Sequence, residues 1–137
     1  MKGVSILGND QKTSVEQTVK PQASGRRGVI VVQNYYYAQP GRADEVFHWR
    51  LHASDVREQL GFPRERVLRR RGGTEEMRAS NELPDVIWEC EYPSMDARER
   101  DTQAVTATAE FQAVQQYMRT LIRRFERGTY EVEESPQ

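Results

Sequence analysis

Gly28–Gly41 reads GVIVVQNYYYAQPG: its first ten residues are dense in β-branched and aromatic side chains, and Gln39-Pro40-Gly41 closes the run with turn chemistry. Such a run is a buried central strand. Its pleat sets Val29, Val31, Gln33, Tyr35 and Tyr37 on one face and Ile30, Val32, Asn34 and Tyr36 on the other. Either face can meet helices, and each carries one carboxamide, so Gln33 or Asn34 must project into whatever the second face encloses.

Downstream, residues from Arg42 to Leu60 read as a helix stopped by Gly61 and Pro63. Val46, Trp49, Ala53, Val56 and Leu60 fall in one narrow sector and form the expected core stripe. Phe47 and Leu51 lie well round the helix, a second apolar edge left for something else to bury. Arg64 to Arg71 (RERVLRRR) reads as an amphipathic strand and Gly72 to Pro84 as a polar loop. Asp85 to Tyr92 (DVIWECEY) alternates cleanly, with Val86, Trp88, Cys90 and Tyr92 opposite Ile87, Glu89 and Glu91. If these two strands are neighbours, the glutamates can pair with the arginines.

Ser94 can cap a helix starting at Met95, and a break is expected in Thr102 to Thr108 because one helix reaching Arg127 would be too long. The second piece carries Phe111, Val114, Met118, Leu121, Ile122 and Phe125 at helical spacing, with Gly128 as its stop and Thr129 to Glu133 as a short last strand. The order is β-α-β-β-α-β. Two such halves make one antiparallel sheet with both helices on one face, an α+β, ferredoxin-like arrangement. The other face is left bare, and a second copy of the chain would cover it.

At 137 residues the chain holds one ordinary domain, expected over residues 28–134, with tails at 1–27 and 135–137. The first tail is polar and reads as a flexible leader or as an arm that docks on a partner. A formal net charge of -1 argues against a nucleic-acid partner or an anionic membrane, and no apolar run is long enough to span a bilayer. One cysteine, Cys90, excludes an internal disulfide and fits a cytoplasmic setting.

Few residues announce chemistry. His48 and His52 share one helical face at the spacing of a two-histidine metal site, with Asp44 and Asp55 flanking. Trp49 stands where a zinc protease would place its glutamate, and solvated histidines are the simpler reading. No nucleophile–base pair, phosphate loop or dinucleotide fingerprint is present, so no cofactor is expected. Asn34 and Tyr36 on the first strand, with Trp88 and Tyr92 on the third, offer polar handles and flat walls for a small-molecule pocket, although aromatics are also ordinary core. Arg64, Arg66, Arg69, Arg70 and Arg71 lack interleaved aromatic platforms and read as a solvated face.

With these residues in hand, the chain resembles the dimeric α/β-barrel superfamily, which includes antibiotic-biosynthesis-type monooxygenases and NIPSNAP-like proteins. The resemblance covers roughly Gly28 to Glu133. It rests on the first strand followed by Pro40-Gly41 and a helix, on VIWECEYPS (Val86 to Ser94) running into a capped helix, and on Phe111 opening the last helix. It implies a homodimer whose sheets pack together, with a pocket in each subunit between sheet and helices. Some members degrade haem with an asparagine on the first strand and a histidine in the last helix. Asn34 is similar to that asparagine, but Gln115 stands four residues beyond Phe111 and no histidine follows His52, so that route does not carry over. Cofactor-independent oxygenation of an electron-rich aromatic molecule needs no such ligand. The alternative is a non-catalytic interaction protein that works through its tail and the Phe47/Leu51 edge.

Overall fold

The computed structural model describes residues 27–62, 65–73 and 83–133. They form β1 (Ile30–Ala38), α1 (Ala43–Gln59), β2 (Arg66–Arg69), β3 (Val86–Tyr92), α2 (Met95–Thr106), α3 (Ala109–Leu121) and β4 (Ile122–Glu131). The strands make one antiparallel sheet in the order β2-β3-β1-β4, the ferredoxin-like α+β architecture expected from the sequence. The leader, the second tail and Arg64 lie outside the described residues.

Local chemistry sets the boundaries. Helix α1 ends in a Schellman motif: the Phe62 N–H reaches the Arg57 carbonyl, the Gly61 N–H reaches that of Glu58, and Gly61 takes a φ of 93°. Helix α2 begins where the Ser94 hydroxyl accepts the Ala97 N–H at 3.1 Å. The expected break between α2 and α3 is made by Thr108, whose extended backbone interrupts the helix and whose hydroxyl caps the next one at the Phe111 N–H.

Ile30, Val32, Asn34 and Tyr36 are the β1 residues that face the helices, and Val86, Trp88, Cys90 and Tyr92 join them from β3. Val46 from α1 and Met118 and Leu121 from α3 close this core. A smaller cluster of Ala53, Val105, Phe111 and Val114 ties the three helices together.

Three expectations are corrected. The last helix stops at Leu121, so Phe125 and Gly128 belong to β4, a strand far longer than Thr129 to Glu133. The 3.6-residue spacing of the apolar residues is compatible with a helix as far as Phe125, but β1 offers partners from Ile30 to Ala38, and pairing satisfies β4's backbone in place of helical bonds. The Gln39 N–H fixes the switch by binding the Leu121 carbonyl at 2.9 Å. Second, the buried face of α1 is Val46, Arg50, Ala53, Ser54 and Arg57, while Trp49, Val56 and Leu60 are only half-buried. Third, Phe47 is not a spare apolar edge: it packs against the main core, and the Arg69 guanidinium covers its ring at 4.6 Å.

The opposite sheet face carries Val31, Gln33, Tyr35 and Tyr37 beside Ile87, Glu89 and Leu68. Its polar groups are mutually bonded. Gln33 donates to Glu89 at 2.6 Å and accepts from the Tyr35 hydroxyl at 2.5 Å, while Arg66 reaches Glu89 at 2.6 Å, the cross-strand pairing the Arg/Glu alternation suggested. Tyr35 is pushed up to about 12, first by its hydrogen bond with Tyr130 and then by burial.

Candidate functional site

A cavity of about 330 Å³ lies between the helix-facing side of the sheet and all three helices. Its floor is built by alternation: Asn34 and Tyr36 from β1, Trp88 and Tyr92 from β3, and Phe125 and Arg127 from β4. All four sequence-selected ligand candidates therefore share one chamber. Arg50, Ala53 and Arg57 descend from α1, Arg98, Asp101 and Val105 from α2, and Phe111, Gln115 and Met118 from α3. Gln115, at the position compared above with a haem-binding histidine, is on the wall, and no histidine among the described residues lines the cavity.

Hydrogen bonds pin the floor. The Arg127 Nε donates to Asn34 Oδ1 at 2.7 Å, a cross-strand pair set by the β1–β4 register. Burial, and then the nearby Arg98 charge, lower the pKa of Arg127. Arg50 Nη1 donates to the Tyr36 hydroxyl at 3.1 Å. The Tyr92 hydroxyl donates to Asp101 Oδ2 at 2.7 Å, so its proton is already committed and Tyr92 offers a ligand its ring. Burial, followed by the neighbouring Cys90 and Asp101, drives that phenol far above its ordinary range and keeps it neutral.

Two buried arginines differ sharply. Arg57 is paired: its Nε binds Glu65, and its Nη1 reaches Asp101 at 3.2 Å. Among the described residues no carboxylate pairs with Arg50, and its Nε and Nη2 are buried without a hydrogen-bond partner. Both guanidiniums lie near the Trp88 ring, at 5.4 Å for Arg50 and 5.5 Å for Arg57. The Trp88 indole N–H is likewise buried and unpartnered.

Arg50, Arg57, Asp101 and Arg127 escape a reading of the sequence alone, because charged residues are assigned to solvent by default. A signal does exist for two of them. Val46, Arg50, Ala53, Ser54 and Arg57 recur at steps of three and four, and the small Ala53 and Ser54 mark the side that approaches the sheet.

His48 and His52 are exposed, their rings resting on Phe47 and Trp49. Among the described residues, no three His, Cys, Asp or Glu side chains converge to hold a metal. The arginine cluster is largely spent on ion pairs: Arg66 with Glu89, Arg69 with Asp44, and Arg70 with Asp85. Among the described residues no helix is long and apolar enough to cross a membrane.

Cys90 is a core thiol, pushed up to about 11 chiefly by burial. The folded chain holds this proton while the unfolded thiol releases it above about 9, so stability is full below that pH and is lost as pH rises through about 11. The loss amounts to about 2–3 kcal/mol. Urea titrations across this window should show the slope in the parent chain and a shallower one in Cys90→Ala; identical slopes would mean the thiol is not perturbed.

Sheet order, helix placement and cavity together define an α+β protein of ferredoxin-like fold with a sheet–helix chamber. No family model and no curated protein matches its sequence. Among solved structures it is similar to SnoaB, a cofactor-independent oxygenase from Streptomyces nogalater, at 17% identity and a TM-score of 0.55, over 79% of this chain and 96% of that one. An uncharacterised NIPSNAP-like domain protein from Burkholderia xenovorans matches at 18% identity and a TM-score of 0.62, covering 81% and 91%. A dimeric protein of unknown function with a ferredoxin-like fold from Bacteroides fragilis matches at 11% identity and 0.55, covering 77% and 97%. The chain thus has the fold of NIPSNAP-like and antibiotic-biosynthesis-monooxygenase-like proteins.

Proposed function

We propose that this chain is a cytoplasmic, homodimeric small-molecule-binding protein that acts on an aromatic ligand as a cofactor-independent, monooxygenase-like enzyme. The observation that carries the reading is the convergence of Asn34, Tyr36, Trp88 and Tyr92 on one cavity, with Phe111 and Phe125 adding flat apolar wall. A volume of about 330 Å³ falls within the range of roughly 300–1,000 Å³ common for small-molecule sites. Oxygenation is supported by likeness of fold to a cofactor-independent oxygenase. In such chemistry the substrate itself supplies electrons to oxygen, which is why an electron-rich aromatic ring is the substrate class named. Self-association is supported by the bare sheet face and by the dimeric structural relative. The single buried thiol suits a reducing compartment.

A thermal-shift panel of quinone-like and polyketide-like aromatics should raise the melting temperature, and Asn34→Ala should weaken that shift. Compounds that bind should then consume oxygen in an oxygen-electrode assay. Binding without oxygen uptake would leave a binding protein and remove the enzyme; no shift across the panel would remove both.

A further inference from the structure

We propose that the ligand of this cavity is an organic anion, a carboxylate or phenolate on a flat apolar frame, recognised through Arg50. The inference deepens the reading of the cavity as a small-molecule site and rests on it. Arg50 is only 5% exposed and lines the cavity, and its side chain makes one hydrogen bond among the described residues, to the Tyr36 hydroxyl. A guanidinium keeps its charge at any physiological pH, and burying it without a counter-ion is costly. Two turns along the same helix Arg57 shows the ordinary solution, a guanidinium held by two carboxylates. At Arg50 no described residue supplies the matching anion.

The remaining polar groups point the same way. Asn34 Oδ1 is occupied by Arg127, and Asp101 Oδ2 is shared between Tyr92 and Arg57. Among the described residues, the buried wall atoms without a hydrogen-bond partner are donors: Arg50 Nε and Nη2 and Trp88 Nε1. The Tyr36 hydroxyl, which accepts from Arg50, keeps its own proton to give. A chamber left with donors selects an acceptor-rich ligand. Arg98, Arg119 and Arg127 add positive charge to the lining against one carboxylate among the described residues, that of Asp101, so the field also draws an anion inward. Planarity follows from Trp88, whose ring lies beside the Arg50 guanidinium, so that a flat ligand can place its oxyanion on Arg50 and its frame along the aromatic wall.

The test uses two probes with one frame, 2-naphthoate and 2-naphthamide, titrated calorimetrically at neutral pH into the full chain, Arg50→Met and Arg50→Lys. The expected result is that naphthoate binds about 10- to 100-fold more tightly than naphthamide, the range a charge-assisted hydrogen bond supplies. Arg50→Met should erase that preference while still binding the amide, and Arg50→Lys should keep part of it. Equal affinities in the parent chain would overturn the anion assignment and leave the cavity a small-molecule site. A preference that survives Arg50→Met would overturn the role of Arg50. Binding of neither probe would overturn the cavity reading, and this inference with it. The probe pair needs no variant, so a poorly folded Arg50→Met cannot rescue the proposal.

Discussion

Arg57→Met should lower the unfolding free energy by about 3–5 kcal/mol, seen as a fall in the urea midpoint, because it strands buried carboxylates. The Arg57 side chain is 4% exposed, that of Glu65 0% and that of Asp101 12%. Desolvating three charged groups is expensive, and only their mutual attraction and hydrogen bonds offset it. Removing the cation leaves the desolvation in place without the compensation. Glu65 suffers most, since its Oε1 is already without a partner. The double variant Arg57→Met, Glu65→Leu should recover much of the loss, because an apolar pair of similar size removes the stranded charge as well. A loss below about 1 kcal/mol in the single variant would show that water reaches the trio. Arg50→Met, on the same helix and equally buried, should leave the midpoint unchanged or raise it, because it deletes a charge that no carboxylate among the described residues compensates.

Ile87→Asp should turn the proposed dimer into a monomer. Ile87 sits near the centre of the bare sheet face, in the cross-strand row Leu68, Ile87, Tyr35, Glu126. It is half-buried in the single chain, where the substitution costs at most about 1 kcal/mol of strand preference. Between two packed sheets the same carboxylate would be buried away from water. A penalty of about 4 kcal/mol weakens association roughly a thousandfold. Sedimentation velocity at micromolar concentration should therefore show a dimer for the parent and a monomer for the variant. A parent chain that sediments as a monomer, or an undisturbed Ile87→Asp dimer, would place the interface elsewhere or remove it.

Much of this architecture is legible along the chain because it is local. The pleat of GVIVVQNYYY and of VIWECEY puts every second residue on one face, so alternation alone places Asn34 with Tyr36 on one side of β1 and Trp88 with Tyr92 on one side of β3. Ser94 and Gly61 mark helix ends because a free hydroxyl and a left-handed residue satisfy backbone groups that the helix itself cannot. Other features are not local. Ile122 to Gly128 suits a helix or a strand about equally, and only the waiting edge of β1 makes it a strand, which turns Phe125 and Arg127 toward the cavity. Position on α1 gives Arg50 and Arg57 the same expectation of solvent exposure, yet packing buries both and, among the described residues, supplies carboxylates, from the residue leading into β2 and from α2, to Arg57 alone.

The sequence by itself determined the element order, the two faces of each central strand and the aromatic half of the candidate site, since each follows from backbone periodicity and capping within a few residues. Tertiary structure alone decided which face the helices cover, where α3 yields to β4, and that carboxylates hold the buried Arg57 guanidinium. Those outcomes depend on the meeting of groups distant in sequence, and a charge's environment exists only once the chain around it has packed.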